Sequence, residues 1–415
     1  MNPSTSTARM SSLIPAATDR PGDDPIFAIN ALAQRRIAAG GAVINASLGA
    51  LLEDDGRLAI LPTVDETMRS IAPRSAAAYA PIAGDEPFLR AIVQDSLGTG
   101  ALAERAVAVA TAGGTGAIHH AIVNFVESGQ SLLTTSYYWS PYGIIAEHTG
   151  RSVETFEMYD DGGCFHLAAL ESALGSQLER QGRALLVLNF PCHNPTGYSL
   201  DGAEWEALAG VLTRASRHGS LVLLLDLAYA RYGDQDFARW VGSLTSLSAS
   251  CTLLLAWSAS KAFLQYGSRV GGLIAVVQDE EERTSVSNAL SYSCRGTWSN
   301  CNHRGILAIT ELLTDPELAA RADLERDRLK DMLGERVALF NREAAGTVLR
   351  YPRYEGGFFV AVFTPDARRT AELAAEEDVF VVPMEGAVRV ALCSTPASDV
   401  PRLVEVLARA VDAVS

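Results

Sequence analysis

From about residue 105 onward, the chain alternates short apolar runs with longer amphipathic stretches. The runs AVAVATA, SLLTTSYYW, ALLVLNF, SLVLLLDLAYA, CTLLLAWS and VGGLIAVV predict buried strands. The segments between them, such as GAEWEALAGVLTRASRHG, carry apolar residues at helical spacing and end near glycine. Strands alternating with helices build a mostly parallel sheet covered on both faces. Such α/β sheets bind their ligands at the carboxyl ends of the strands.

A different pattern follows. Residues 310–345 read as a long helical segment broken at Pro316, and GGFFVAVF, VFVVPM and AVRVALCS predict three short strands. ASDVPRLVEVLARAVDAVS closes the chain as an amphipathic helix. This is a smaller α+β domain, and residues 25–60 are expected to join it. The predicted division is therefore an N-terminal arm over 1–24, a small domain of 25–60 with 310–415, and a large domain over 61–309. A chain of 415 residues exceeds what one compact core usually holds.

Composition narrows the possible partners. With 48% apolar and 20% charged residues the chain is an ordinary globular protein. Its formal net charge of -15 opposes nucleic acid and anionic membrane surfaces at long range. No apolar stretch reaches the ~18 residues of a membrane helix. The Ser-, Thr- and Ala-rich start lacks the continuous apolar core and basic flank of a secretion signal, so a cytoplasmic protein is expected. Cys164, Cys192, Cys251, Cys294, Cys301 and Cys393 form no C-x-x-C pair, which predicts reduced thiols, no disulfide framework and no metal site.

The candidate chemistry gathers where the strands end. TAGGTGAIHHAI runs from a strand through Gly113, Gly114, Thr115 and Gly116 into a helix, whose free amides favour a phosphate. It fits neither the dinucleotide fingerprint nor the P-loop. FPCHNPTGYSL offers Asn194 as a donor in a turn, and LVLLLDLAYARYG places Asp226 after five apolar residues, with Tyr229 close behind. A carboxylate in such a position needs a cation or several donors. WSASKAFLQYGSRVGG supplies Ser258, Ser260, Lys261 and Arg269.

Lys261 stands out, because among thirty-four basic residues Lys261 and Lys330 are the only lysines. An arginine stays protonated and forms no Schiff base, so a retained lysine at a strand mouth points to a reactive amine. Taken together, these groups meet the needs of pyridoxal phosphate. Its aldehyde needs a lysine, its ring nitrogen a carboxylate, and its phosphate amides, hydroxyls and an arginine.

HNPTG, DLAY, SASK with Arg269 eight residues after Lys261, and RVAL near the C-terminus together resemble the aspartate and aromatic aminotransferase branch of the fold-type I pyridoxal phosphate enzymes. INASLGALLEDDGR and AYAPIAGDEPFLRAI match that branch in place and order, and the likeness runs from about Asp24 onward. The resemblance implies a large domain with a mostly parallel sheet, a small α+β domain and a homodimer with shared active sites.

It also implies residue roles. Lys261 is the Schiff-base lysine and proton carrier, Asp226 holds the ring nitrogen, and Asn194 and Tyr229 bond the ring hydroxyl oxygen. Gly114, Thr115, Ser258 and Arg269 hold the phosphate, Trp139 stacks on the ring, and Tyr79 reaches the phosphate of the partner subunit. Arg389 clamps the substrate α-carboxylate, Gly49 lies on the closing loop, and Arg295, in CRGTWSNCNHRG, is the candidate for a distal carboxylate across the dimer. The implied activity is transfer of an amino group between a dicarboxylic or aromatic amino acid and a 2-oxo acid.

Three departures lie near the substrate side. Cys301 and Asn302 stand where the branch has a proline pair, Ala262 where it often has asparagine, and VALCS departs from the usual small-residue run. They motivate an alternative: a pyridoxal phosphate enzyme of elimination, replacement or carbon-carbon bond formation, using an activated substrate such as S-adenosylmethionine. A cofactor-binding DNA sensor is disfavoured, since only about twenty-four residues precede the fold and the charge has the wrong sign.

Overall fold

A computed structural model of the chain describes residues 12–18, 20–22, 25–233 and 236–415. Residues 1–11 of the expected N-terminal arm lie outside the described residues.

The large sheet has seven strands: β1 (Ala106–Ala112), β2 (Ser131–Thr135), β3 (Ser152–Phe156), β4 (Arg183–Leu188), β5 (Ser220–Asp226), β6 (Thr252–Ser258) and β7 (Val270–Val276). Their spatial order is β1-β7-β6-β5-β4-β2-β3. The middle strands are buried along almost their whole length, which is why they read as unbroken apolar runs rather than as alternations. Strands β2 to β6 run parallel, while β7 runs antiparallel to both neighbours, β1 and β6.

That one reversal shapes the site. Asp226 at the end of β5 lies opposite Ala256 of β6, Ser258 at the end of β6 opposite Gly271 of β7, and Ala112 at the end of β1 opposite Val270 of β7. The start of β7, preceded by Arg269, therefore reaches the same edge of the sheet at which β1, β5 and β6 finish.

The C-terminal part forms a three-stranded antiparallel sheet of β8 (Phe359–Phe363), β9 (Val382–Met384) and β10 (Ala387–Ala391), with β10 in the middle. Ile44 and Asn45 pair in parallel with Val379 and Phe380. Pro316 does not break a helix but starts one. His303–Thr314 ends before it, and Pro316–Ala344 begins with Asp315 accepting the amides of Glu317 and Leu318. Fully buried Arg336 of that helix donates to the carbonyls of Leu52, Leu392 and Cys393 and to Asp54, tying the helix to both of those segments. No helix among the described residues is long and apolar enough to cross a membrane.

Candidate active site

The anion end of the site is built where β1 passes into the helix Gly113–Phe125. The first turn of that helix has no side-chain cap, so its amides stay available for an anion. Gly113 has φ +69°, and a Cβ there would stand 2.6 Å from Arg269 Nη2. Glycine is required both for that backbone angle and for the close approach of the guanidinium. Arg269, itself at φ 53°, donates from Nη1 to Ser260 Oγ at 3.1 Å and to the Tyr266 carbonyl at 2.9 Å. Its Nη2 lies 3.5 Å from Thr115 Oγ1. Ser258 caps the short helix Ala259–Ala262, its Oγ accepting the Ser260 amide at 3.2 Å. Three hydroxyls, a guanidinium and a bare helix start thus converge.

The opposite end is set by Asp226. This buried carboxylate accepts from the Tyr142 hydroxyl at 2.7 Å and from the Ala228 amide at 3.1 Å. Burial raises its pKa above the ordinary carboxylate value, while Tyr142, the Ala228 amide and Lys261 pull it back down. Asn189 donates to the Asp226 carbonyl at 2.8 Å and accepts the Asn194 amide at 2.7 Å, so one side chain links the two strand ends. Asn194 Nδ2 in turn lies 3.4 Å from the Tyr229 hydroxyl.

Lys261 Nζ stands between these ends, 5.3 Å from the centre of the Tyr229 ring and 5.9 Å from that of Tyr266. Burial lowers the pKa of its amine. Asp226 opposes that shift, and Arg269 and Arg389 add to it. Together, Gly114, Thr115, Trp139, Asn194, Asp226, Tyr229, Ser258, Lys261 and Arg269 line one cleft.

A wider cleft shares Trp139 and Asn194 with the first. It is bordered by Arg389, Tyr138, Ile144, Met384 and, from the N-terminal side, Arg20 and Ile26. Buried Arg389 on β10 lies 4.4 Å above the Phe359 ring and donates to the Ser47 carbonyl at 2.9 Å. Gly49 follows two residues later, and a Cβ on it would stand 3.0 Å from Phe359 Cζ.

Besides Gly49, two predicted residues line neither cleft. Tyr79 is 91% exposed, and Arg295, on the helix Glu280–Gly296, is exposed and donates to Ser299 Oγ at 2.7 Å. The neighbours in HNPTG are structural. His193 is held by Thr196 at 2.8 Å, and burial lowers its pKa to about 3. The buried Cys192 thiol is pushed up to about 12, as a passive thiol should be. The sequence reading missed Tyr142, Asn189 and Tyr266. A clue existed for Asn189, a polar residue inside an apolar run that must find partners.

Comparison with known proteins identifies the family. Residues 42–407 match the family "Aminotransferase class I and II". An aromatic-amino-acid aminotransferase of Paracoccus denitrificans is 28% identical over 291 residues, 69% of this chain and 72% of that protein. An aspartate aminotransferase of Pseudomonas aeruginosa is 27% identical, covering 78% of this chain and 81% of the relative. The crystal structure of an aminotransferase from Anaerococcus prevotii superposes with a TM-score of 0.91 at 31% identity, over 97% of this chain and 100% of that one. An aromatic-amino-acid aminotransferase from Burkholderia pseudomallei, solved covalently bound to pyridoxal phosphate, shares the fold with a TM-score of 0.77 at 22% identity, over 95% of this chain and 98% of that one. Nothing in these matches favours elimination or replacement chemistry over amino-group transfer. By fold and sequence match alike, the chain belongs to the class I and II aminotransferases and is an aminotransferase.

Proposed function

We propose that pyridoxal phosphate binds between Arg269 and Asp226, and that the amino donor carries a bulky apolar side chain. The observation that supports the cofactor most directly is a buried lysine amine whose pKa is lowered by burial. It lies between a carboxylate that retains acceptor capacity and an anion cradle that a glycine Cβ would fill. The residues present fit the group. Gly114, Thr115, Ser258 and Arg269 would hold the phosphate, Asp226 the ring nitrogen, Asn194 and Tyr229 the ring hydroxyl oxygen, and Trp139 one ring face.

When bound, the cofactor supplies an aldehyde that captures amines covalently and a protonated ring that draws electrons from the substrate α-carbon. The chain's own residues do the rest. Lys261 Nζ, whose pKa burial lowers toward that of a usable base, takes the proton from the substrate α-carbon and gives it back on the other side of the reaction. Arg389 binds the α-carboxylate bidentately, a geometry that lysine lacks. The loop of Ser47 and Gly49, fastened to Arg389 and Phe359, helps to keep water from the reacting carbon.

The substrate class follows from the wider cleft. Trp139, Tyr138, Ile144, Ile26 and Met384 give it mainly apolar walls around Arg389. A large apolar side chain is favoured there by burial of its surface. Exposed Arg295 and Tyr79 support a second element, a homodimer in which each chain completes the other's site and Arg295 receives a dicarboxylic co-substrate. The test is a half-reaction. Phenylalanine or tyrosine alone, with no 2-oxo acid added, should yield one 2-oxo acid per subunit. Turnover confined to aspartate and glutamate would refute the apolar assignment.

A further inference from the structure

Tyr142 sits in the first turn of the helix Pro141–His148, with a relative exposure of 1%. Its ring packs: the Tyr138 ring lies 6.2 Å away at 11°, and the Trp139 ring 5.6 Å away at 87°. Packing of that kind needs no hydroxyl, and a phenylalanine would serve it equally. A buried phenol needs an acceptor, and Tyr142 has found Asp226 Oδ2 at 2.7 Å.

This bond reaches the group on which the proposed cofactor site depends. Asp226 lies among buried apolar strand residues, and three titratable side chains face it: Tyr142 from the helix 141–148, Tyr229 from its own loop, and Lys261 from the helix 259–262. Of its two oxygens, Oδ2 accepts the Tyr142 phenol and Oδ1 the Ala228 amide. A carboxylate can accept about four hydrogen bonds, so both oxygens keep capacity for a donor arriving from the cleft. The two fixed donors also restrict rotation of the carboxylate before any ligand binds. Burial favours the neutral acid and the phenol opposes it, with Tyr142 the largest of the stabilising influences on the anion.

We infer that Tyr142 is a positioning residue, whose hydroxyl fixes the Asp226 carboxylate toward the ring nitrogen of the bound cofactor. The inference rests on the cofactor reading above and concerns a residue that touches neither substrate nor cofactor in that reading. It predicts that Tyr142→Phe keeps the aromatic packing and folds, yet binds the cofactor less well.

The experiment measures the dissociation constant of pyridoxal phosphate and the pH midpoint of its visible absorbance on the protein. The proteins compared are the wild type, Tyr142→Phe, Asp226→Asn and the double variant. Tyr142→Phe should weaken binding about ten- to hundredfold, the range of a lost charge-assisted bond, and shift the pH midpoint. Added to Asp226→Asn, it should change neither quantity further, because its effect passes through the carboxylate. 3-Fluorotyrosine placed at position 142 keeps the shape and strengthens the donor, and should move the midpoint the opposite way. Should Tyr142→Phe fail to fold, the fluorinated protein still decides: an unmoved midpoint overturns the inference. So do wild-type affinity and midpoint in Tyr142→Phe, or additive effects in the double variant. A wild-type chain that takes up no pyridoxal phosphate would instead remove the cofactor reading, and this inference with it.

Discussion

The backbone amide of Leu51 donates to the Tyr266 hydroxyl at 3.0 Å, across 215 residues of sequence. Tyr266 also offers its carbonyl to Arg269 at 2.9 Å, and its ring lies 5.9 Å from Lys261 Nζ. One residue, through its side chain and its backbone carbonyl, therefore joins the loop that follows Gly49 to both the anion cradle and the Lys261 amine.

Tyr266→Phe should leave the amide of fully buried Leu51 without that acceptor. The expected loss is about 1–3 kcal/mol, the cost of an orphaned buried donor. It would be read as a lower urea midpoint at unchanged slope. An unchanged midpoint would show that the two loops are held together by other contacts.

The lowered pKa of Lys261 has a signed consequence for the cofactor-free chain. Between its folded value and the ordinary 10.5, the unfolded state binds a proton that the folded state does not. Stability should therefore rise with pH across that window, relative to a Lys261→Met variant that lacks the group. The difference between the two proteins, followed by urea unfolding at several pH values, should narrow as pH rises. A constant difference would mean that the amine is not desolvated.

Arg389→Lys keeps the charge but loses the planar fork. The KM of every accepted amino acid should rise about ten- to hundredfold, since all present the same α-carboxylate. A change confined to one substrate would place Arg389 at the side chain instead.

How much of this was legible in the chain depends on what each residue type must do when buried. Asp226 and Lys261 could be read because each interrupts or ends an apolar run, where a charge is costly without a purpose. Tyr142 could not, because an aromatic residue among Tyr137, Tyr138 and Trp139 already has a sufficient reason in packing. The direction of β7 was also hidden. A buried strand shows the same apolar run whether it is parallel or antiparallel, yet its reversal is what delivers Arg269 to the site. The edge strand β3, SVETF, escaped notice because its residues are largely half-exposed or exposed. SLLTTSYYW was read too long. The strand ends at Thr135, whose hydroxyl donates to the Tyr137 carbonyl as the chain turns toward Trp139.

The proposed sharing of sites across a homodimer makes its own prediction. Lys261→Ala and Tyr79→Ala chains, each impaired alone, should regain about a quarter of wild-type activity when co-assembled, because half the dimers hold one intact site of two. No recovery would argue that each chain works alone. In the same assay Arg295→Ala should raise the KM for aspartate and glutamate and leave that for phenylalanine unchanged.

The central claim is that Lys261 bonds the cofactor, and the sequence makes this simple to test because Lys330 is the only other lysine. The purified chain would be incubated with pyridoxal phosphate, reduced with borohydride, digested and mapped by mass spectrometry. The cofactor's mass should appear on the peptide containing Lys261. Label on the peptide containing Lys330, or on neither lysine, would contradict it.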